Sequence, residues 1–200
     1  MGRIRQTVRE GRDRMRETLL DWLPRDMHGA RVLDAGCGTG MLAVEVARRG
    51  AHVLAIDLSP TLIGLARERM PPSIGAGQIE FRVGDMSDPA LGEFDFSVAM
   101  DSLIHYTAAD AVAAITRLAP RVRQQMVFTF APHTPLLGAM HAVGRLFPRG
   151  NRAPSIEPVR QEWLWHALDW EPGLTGWSRG RSERISRGFY TSQACELVSR

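Results

Sequence analysis

The sequence predicts an α/β fold in which a mostly parallel, seven-stranded sheet carries helices on both faces. Two observations favour this class. Five apolar runs of strand length alternate with stretches of helical periodicity and two further strand candidates follow near residue 190, while a glycine-rich turn separates the first run from the helix that follows it. The length of 200 residues suits a single domain with a substantial hydrophobic core.

The first predicted element is a helix over Arg3–Leu23, which ends before Pro24. Apolar residues recur on it at helical spacing, with arginines between them: Ile4, Val8, Met15, Leu19 and Trp22. Two interpretations are open. The helix packs over an edge of the sheet, or it forms a lid or a membrane-surface helix.

The glycine-rich turn lies between a buried strand that ends at Val32-Leu33 and a helix over Leu42–Arg48. Glycine permits positive φ there and lets a ligand approach the backbone closely. The dinucleotide fingerprint fits poorly, because Met41 takes the place of its last glycine. The pattern Asp-x-Gly-x-Gly-x-Gly instead resembles motif I of the Rossmann-like class I S-adenosylmethionine (SAM) methyltransferases. The resemblance implies cofactor contacts from Asp34, Gly36, Cys37, Gly38 and Gly40.

The second strand is predicted over His52–Asp57, and the next helix over Thr61–Met70. An acid that closes this strand matches the residue that binds the ribose hydroxyls in such folds, because a carboxylate accepts two hydrogen bonds from a cis-diol. Asp57 and the adjacent Leu58 are therefore candidate cofactor residues. The alternative for Asp57 is a helix cap, although Ser59 suits that role better.

The third strand is predicted over Ile79–Val83, with Asp85 and Met86 just beyond it. In the methyltransferase pattern an acid at this point binds the adenine amino group, and the next residue packs on the ring. The alternative for Asp85 is a turn-forming role.

The fourth strand, over Phe94–Met100, is almost continuously apolar and is predicted to be central. His105 and Tyr106 follow it, ahead of a helix over Ala108–Leu118. Chemistry in open α/β sheets occurs beyond the carboxyl ends of the strands, so both side chains are catalytic candidates. A purely structural role is the alternative for each of them.

After a fifth strand over Met126–Phe130, the regular alternation stops. A helical insertion at about residues 132–172 is predicted to cover the substrate, and Pro135–Arg152 is its apolar, arginine-bearing part. A core helix is the alternative for this part. The candidate substrate contacts here are Met140, His141, Arg145 and Arg149.

The end of the chain is predicted to hold a helix and two strands. The helix spans Pro158–Trp170, Gly173–Gly180 forms a loop, and the strands cover Arg184–Arg187 and Phe189–Val198. The resemblance to the methyltransferases implies that the last strand runs antiparallel to the others.

Composition narrows the possible functions. All 25 basic residues are arginine, yet no basic stripe interleaved with aromatics indicates a nucleic-acid surface outside the N-terminus. Two cysteines are too few for a disulfide framework or a zinc site. No apolar run approaches the roughly 18 residues of a membrane span. We expect a cytoplasmic protein, at most peripherally attached to the inner or photosynthetic membrane.

Four segments make the resemblance narrower: Asp101-Ser-Leu-Ile-His-Tyr106, Phe128-Thr-Phe-Ala-Pro-His-Thr-Pro-Leu-Leu137, Gly144-Arg-Leu-Phe-Pro-Arg-Gly150 and Arg187-Gly-Phe-Tyr-Thr-Ser-Gln-Ala194. Over essentially the whole chain, the sequence resembles the magnesium-protoporphyrin IX O-methyltransferase family of bacteriochlorophyll biosynthesis. Members of that family carry an N-terminal arm with a Tyr-Phe pair that covers the site. This chain starts inside the helix that follows the arm, so a misassigned start codon and a missing arm are both open.

The resemblance implies that a SAM methyl group is transferred to one propionate of Mg-protoporphyrin IX, leaving S-adenosylhomocysteine, and it adds Asp101 to the cofactor contacts. A propionate with a pKa near that of Glu, about 4.3, is ionised at neutral pH and needs no strong base. His105 would orient that carboxylate or accept its proton. The magnesium belongs to the substrate, and no protein-bound metal is implied.

Three points stay open beside this interpretation. The first alternative is a methyltransferase for another apolar acceptor, such as a quinone precursor. The second is a SAM-binding subunit without catalysis. The third point concerns partners, since the porphyrin-binding subunit of the magnesium chelatase is a candidate.

Overall fold

The computed structural model describes residues 2–133 and 156–200, except for the side chain of Arg3. The helices of this part are α1 (Gly2–Trp22), α2 (Met41–Arg48), α3 (Pro60–Glu68), α4 (Ala108–Leu118) and α5 (Gln161–Asp169). The strands are β1 (Arg31–Ala35), β2 (His52–Asp57), β3 (Gln78–Val83), β4 (Phe94–Ala99), β5 (Val122–Phe130), β6 (Trp177–Arg187) and β7 (Tyr190–Ser199).

The seven strands form one sheet in the order β3-β2-β1-β4-β5-β7-β6. Strands β1 to β5 pair in parallel, whereas β7 lies antiparallel between β5 and β6. The predicted fold class and the antiparallel last strand are therefore confirmed. The strand order reverses between β1 and β4, which makes their carboxyl ends the expected place for a ligand.

Both faces of the sheet are covered, as predicted. One core contains Ile115 of α4 together with Leu164 and Trp165 of α5. The other contains Met15 of α1 and Val46 of α2. Since α5 packs in the first core through three buried side chains, this end of the predicted 132–172 insertion is core structure.

The first helix packs against the β6–β7 edge of the sheet. Its Met15 and Leu19 are completely buried. A Cβ atom on Gly11 would lie 2.4 Å from the ring of Tyr190, so only glycine lets α1 approach β7 this closely. Of the two interpretations of this helix, packing on the sheet edge is correct for its C-terminal half.

The strand β6 is the main difference from the sequence prediction. It begins at Trp177, so residues 177–180 of the predicted loop are strand. Ile185 is its only buried residue, because β6 is an edge strand with polar side chains on both faces. Such a strand lacks the apolar alternation by which strands are recognised in sequence. Strand β5 likewise begins earlier than predicted, at Val122.

Across residues 2–133 and 156–200, no helix has the combination of length and hydropathy that crossing a membrane requires.

Candidate active site

A cleft of about 1130 Å³ lies between the carboxyl ends of β1 to β4 and the N-terminal half of α1. Ligand pockets commonly measure about 300–1,000 Å³, so this volume accommodates a cofactor and part of a second ligand. The described residues that line it come mainly from the glycine turn, the ends of β2, β3 and β4, and one face of α1, with further residues from α2 and from α3 and its C-terminal end. The cleft is thus at the position that the strand order predicts.

The glycine turn brings bare backbone to the wall of the cleft. The N–H groups of Gly36 and Cys37 donate to the carbonyl of Ile56, at 2.8 and 3.0 Å, which fixes the turn on β2. Gly36 has φ +80°, and a Cβ on it would lie 2.3 Å from the Cβ of Ser102. Gly38 has φ +55°, and no heavy atom lies within 4 Å of the position a Cβ would take. Gly38 therefore leaves open space where a ligand can meet the backbone.

Asp34 is a buried carboxyl group with an unused acceptor. It is only 2% exposed, and its Oδ2 atom has no hydrogen-bond partner within the described part of the chain. Burial raises its pKa to about 7; the Ala43 N–H opposes this shift and the negative charge of Asp57 adds to it. Because Asp34 lines the cleft, a cationic group of a ligand would satisfy the unused oxygen and favour the ionised form.

Asp57 links the glycine turn to the start of α3. Its Oδ2 atom accepts from the Gly38 N–H at 3.0 Å, and its Oδ1 atom accepts from the Ser59 N–H at 2.9 Å. Ser59 caps α3 by accepting from Leu62, as predicted. Each carboxylate oxygen of Asp57 retains acceptor capacity toward the cleft. The adjacent Leu58 also lines the cleft and is 68% exposed.

Asp85 and Met86 line the cleft beyond β3. Asp85 accepts from the Ser87 N–H at 2.7 Å, so it forms the turn that was its alternative interpretation. Asp85 is an exposed residue and a carboxylate accepts several hydrogen bonds, so the turn-forming role leaves a ligand contact available.

His105 and Tyr106 lie at the end of β4, on a short turn of 3₁₀ helix over Leu103–His105. Both line the cleft, with His105 exposed and Tyr106 partly buried. Burial raises the pKa of Tyr106, and the carboxylates of Asp85 and Asp110 raise it further. Tyr106 therefore remains a protonated donor at neutral pH, next to the predicted adenine site.

Asp101 lies in the cleft wall, but its carboxylate is held by protein groups. It accepts from the hydroxyl of Tyr190 at 3.0 and 3.2 Å and pairs with the Nε atom of Arg12 at 3.3 Å. Its backbone has φ +53°, a strained value for a residue other than glycine. This arrangement makes Asp101 a positioning residue, in addition to any contact with the cofactor that the resemblance implies.

The sequence analysis missed the arginines of α1 that line the cleft. They are Arg5, Arg9, Arg12 and Arg16. Their successive spacings of four, three and four residues are those of a single helix face, which is the signal that could have identified them. The predicted cover Pro135–Arg152 lies outside the described residues, and so do its predicted substrate contacts Met140, His141, Arg145 and Arg149.

Two family models match the chain. One describes the C-terminus of magnesium-protoporphyrin IX methyltransferase and matches residues 99–199. The other describes a methyltransferase domain and matches residues 32–125. The first match contains His105 and the β6–β7 hairpin, and the second contains the glycine turn together with Asp57 and Asp85.

Individual proteins give the same result. The chain is 50% identical to a magnesium-protoporphyrin O-methyltransferase of Rhodobacter capsulatus, over 98% of this chain and 84% of that protein. The crystal structure of magnesium protoporphyrin IX methyltransferase from Synechocystis with bound SAH superposes with a TM-score of 0.82 at 28% identity, covering 98% and 87% of the two chains. A ubiquinone biosynthesis O-methyltransferase of Xanthomonas oryzae is 36% identical, over 62% of this chain and 55% of that protein.

Proposed function

The chain belongs to the magnesium-protoporphyrin IX methyltransferase family, and from this membership we propose that it methylates one propionate of Mg-protoporphyrin IX in (bacterio)chlorophyll biosynthesis. It is a SAM-dependent O-methyltransferase. The observation that carries the proposal is the composition of the cleft, in which the glycine turn and the acids at the ends of β1 and β2 adjoin the His105 turn. A cofactor and an acceptor can therefore meet in one cleft.

The residues of the cleft fit SAM. Its amino-acid portion carries a cationic group suited to the unused oxygen of Asp34, and the open side of Gly38 admits the ligand to the backbone. We assign Asp57 to the ribose hydroxyls and Asp85 with Met86 to the adenine ring. When bound, SAM supplies a methyl group activated by a sulfonium centre. Cys37 and Gly40 contribute as parts of the turn.

The second ligand is the carboxylate that receives the methyl group. Since a propionate is ionised at neutral pH, the chain's residues need to orient it and exclude water from it. We assign the orientation to His105, which lies on the exposed turn after β4. Tyr106 is the second candidate, because its raised pKa keeps its hydroxyl protonated and able to donate a hydrogen bond.

We further propose that Pro135–Arg152 covers the porphyrin, with Met140, His141, Arg145 and Arg149 in contact with it. The described residues on either side of this segment support the proposal. His133 donates its N–H to the carbonyl of Val159 at 2.8 Å, and Glu157 donates to Ile104 at 2.9 Å. The segment therefore leaves and rejoins the fold beside the His105 turn.

We also propose a protein partner and a membrane contact for this chain. Mg-protoporphyrin is a large apolar molecule, so we propose that the chain receives it directly from the porphyrin-binding subunit of the magnesium chelatase. Peripheral attachment to the inner or photosynthetic membrane would serve the same purpose. Co-sedimentation of the purified chain with the chelatase subunit, and separately with vesicles, tests both proposals.

A methyl-transfer assay tests the function. The full chain should transfer labelled methyl groups from SAM to Mg-protoporphyrin and leave a demethylated ubiquinone precursor unmodified. Transfer to the quinone alone would contradict the proposal in favour of another apolar acceptor. SAM binding without any transfer would favour the subunit without catalysis.

A further inference from the structure

The arginines that line the cleft from α1 differ in what holds them. The Nε atom of Arg12 lies 3.3 Å from Asp101, and the Nη2 atom of Arg16 donates to Asp13 at 2.7 Å. Arg16 is also only 17% exposed. Both guanidinium groups are thus paired with carboxylates of the protein: Arg12 joins α1 to the end of β4, and Arg16 is held within α1.

Arg5 and Arg9 are not engaged in this way. The side chain of Arg9 is 85% exposed, and its one ion pair with another described residue, Asp13, is 4.0 Å long. Arg5 forms no ion pair with any residue of the described ranges 2–133 and 156–200. The two residues are one helical turn apart, or about 6 Å along the axis. They can therefore approach one ligand group together.

Apolar side chains accompany these two arginines. Ile4 and Val8 precede Arg5 and Arg9 directly, are also one turn apart and also line the cleft. Ile4 is 47% exposed, an unusual state for isoleucine that contact with a ligand would relieve. The exposed end of α1 thus combines an apolar surface with two arginines that, within residues 2–133 and 156–200, form no ion pair shorter than 4.0 Å. If Arg5 and Arg9 served only to interact with water, they would not need to lie in the same cleft as Ile4 and Val8.

This combination matches the chemistry of the proposed substrate. Mg-protoporphyrin IX is a flat apolar ring with two propionates, and only one of them receives the methyl group. The other remains an anion, and its burial in the cleft would be unfavourable without a paired cation. Arginine suits this role because its planar guanidinium forms two parallel hydrogen bonds to a carboxylate.

We propose that Arg5 and Arg9 bind the propionate that is not methylated and so direct the other propionate toward the cofactor. The assignment rests on the proposed function, because it requires a substrate with two carboxylates. It makes Arg5 and Arg9 substrate-positioning residues, with Ile4 and Val8 in contact with the ring.

The double variant Arg5→Gln/Arg9→Gln tests the proposal in the full chain. We expect its Kd for Mg-protoporphyrin to rise at least about tenfold, because hydrogen bonds between charged groups are lost. Its Kd for the uncharged magnesium complex of protoporphyrin dimethyl ester should stay within about twofold of the parent value. The Kd for SAM should not change.

The matched control is Arg14→Gln. Arg14 lies on the same helix but outside the cleft, where it pairs with Glu17. This variant should bind both porphyrins and methylate Mg-protoporphyrin like the parent. Circular dichroism of all variants establishes that α1 remains helical.

Three outcomes would contradict the assignment, and they differ from one another. Equal weakening of diacid and dimethyl ester would mean that the arginines support the fold of the cleft. Unchanged binding of the diacid would mean that another group holds the second propionate. If the parent chain itself neither binds nor methylates Mg-protoporphyrin, the proposed function fails and the assignment fails with it.

Discussion

The hydroxyl of Tyr190 donates to both carboxylate oxygens of Asp101, at 3.0 and 3.2 Å, and so joins β7 to the end of β4. Helix α1 packs on both residues of this contact, because the Tyr190 ring lies against Gly11 and the Asp101 carboxylate pairs with Arg12. Burial and the negative charge of Asp101 raise the pKa of Tyr190, so the hydroxyl stays protonated throughout the physiological range. This contact holds the helical wall of the cleft against the sheet.

Replacing Tyr190 by Phe should therefore loosen that wall. The variant removes the single hydroxyl donor that Tyr190 offers to the Asp101 carboxylate, and we expect the free energy of unfolding to fall by about 1–3 kcal/mol. Hydrogen exchange should become faster in α1. Urea unfolding and exchange mass spectrometry measure both effects. Phe189→Leu, at a neighbouring side chain that is 55% exposed, is the control and should change neither.

The buried Asp34 carboxyl predicts a pH dependence of stability in the absence of ligand. Its pKa is about 7 in the folded chain against an ordinary value of 3.8, so the folded state binds more protons between these values. Stability should therefore decrease as the pH rises from about 4 to about 7, by an Asp34 contribution of roughly 4 kcal/mol at most. Below pH 4 this contribution is constant.

The variant Asp34→Asn provides the comparison. Urea unfolding of parent and variant at pH 5 and pH 8 should show the variant gaining relative stability at the higher pH. Cationic SAM should lower the pKa of Asp34, so calorimetry of the parent at pH 6 in two buffers should detect proton release on binding. If the stabilities of parent and variant changed with pH by the same amount, the raised pKa of Asp34 would be contradicted.

Asp57 predicts a separate effect on the cofactor. In Asp57→Ala the carboxylate that should receive the ribose hydroxyls is absent, and Kd for SAM should rise at least tenfold, given about 1.5–3 kcal/mol for hydrogen bonds to a charged group. Some stability should also be lost, because the N–H groups of Gly38 and Ser59 lose their acceptor. Calorimetry on a chain shown to be folded measures the affinity. Unaltered SAM binding would refute the ribose assignment.

The glycines of the turn predict two different phenotypes. Gly36→Ala would bring a methyl group within 2.3 Å of Ser102 Cβ, so we expect a loss of stability of about 2 kcal/mol or more. Gly38→Ala meets no atom within 4 Å and carries the strain of φ +55° alone, about 1–2 kcal/mol. Gly38→Ala should remain folded and bind SAM more weakly. Thermal unfolding with and without SAM separates the two variants, and equal stability losses would contradict the distinction.

His105 predicts an effect on turnover. Because an ionised propionate is already a nucleophile, His105→Ala should lower kcat by about 10- to 1000-fold, around or below the usual contribution of a general acid–base group. SAM binding should stay nearly normal, since the proposed cofactor contacts are made by the glycine turn and by the acids at the ends of β2 and β3. Steady-state methylation of Mg-protoporphyrin provides the measurement. Parental turnover would leave His105 a packing residue and make Tyr106 the leading candidate.

The sequence was most informative where local chemistry determines local structure. The glycine turn, the cap at Ser59 and the buried strand β4 could all be predicted, because each depends on neighbouring residues. The acids at the strand ends could be predicted to lie close together, because parallel strands end on the same edge of a sheet.

The remaining part of the cleft depends on contacts between distant segments. The helical pattern of α1 indicated an apolar face but did not decide between packing on the sheet edge and forming a lid or membrane-surface helix. The sequence therefore did not show that the arginines of α1 would line the cleft. Edge strand β6 carries no apolar alternation. The contact between Tyr190 and Asp101 joins residues 89 positions apart, and no local sequence pattern predicts it.

This long separation also bears on the order of folding during synthesis. The candidate cofactor residues, from Asp34 to Asp101, are synthesised before the last hairpin. The surface against which α1 packs is completed later, because it includes Tyr190 and other residues of the last hairpin. Helix α1 therefore acquires its final packing only after β7 has been synthesised.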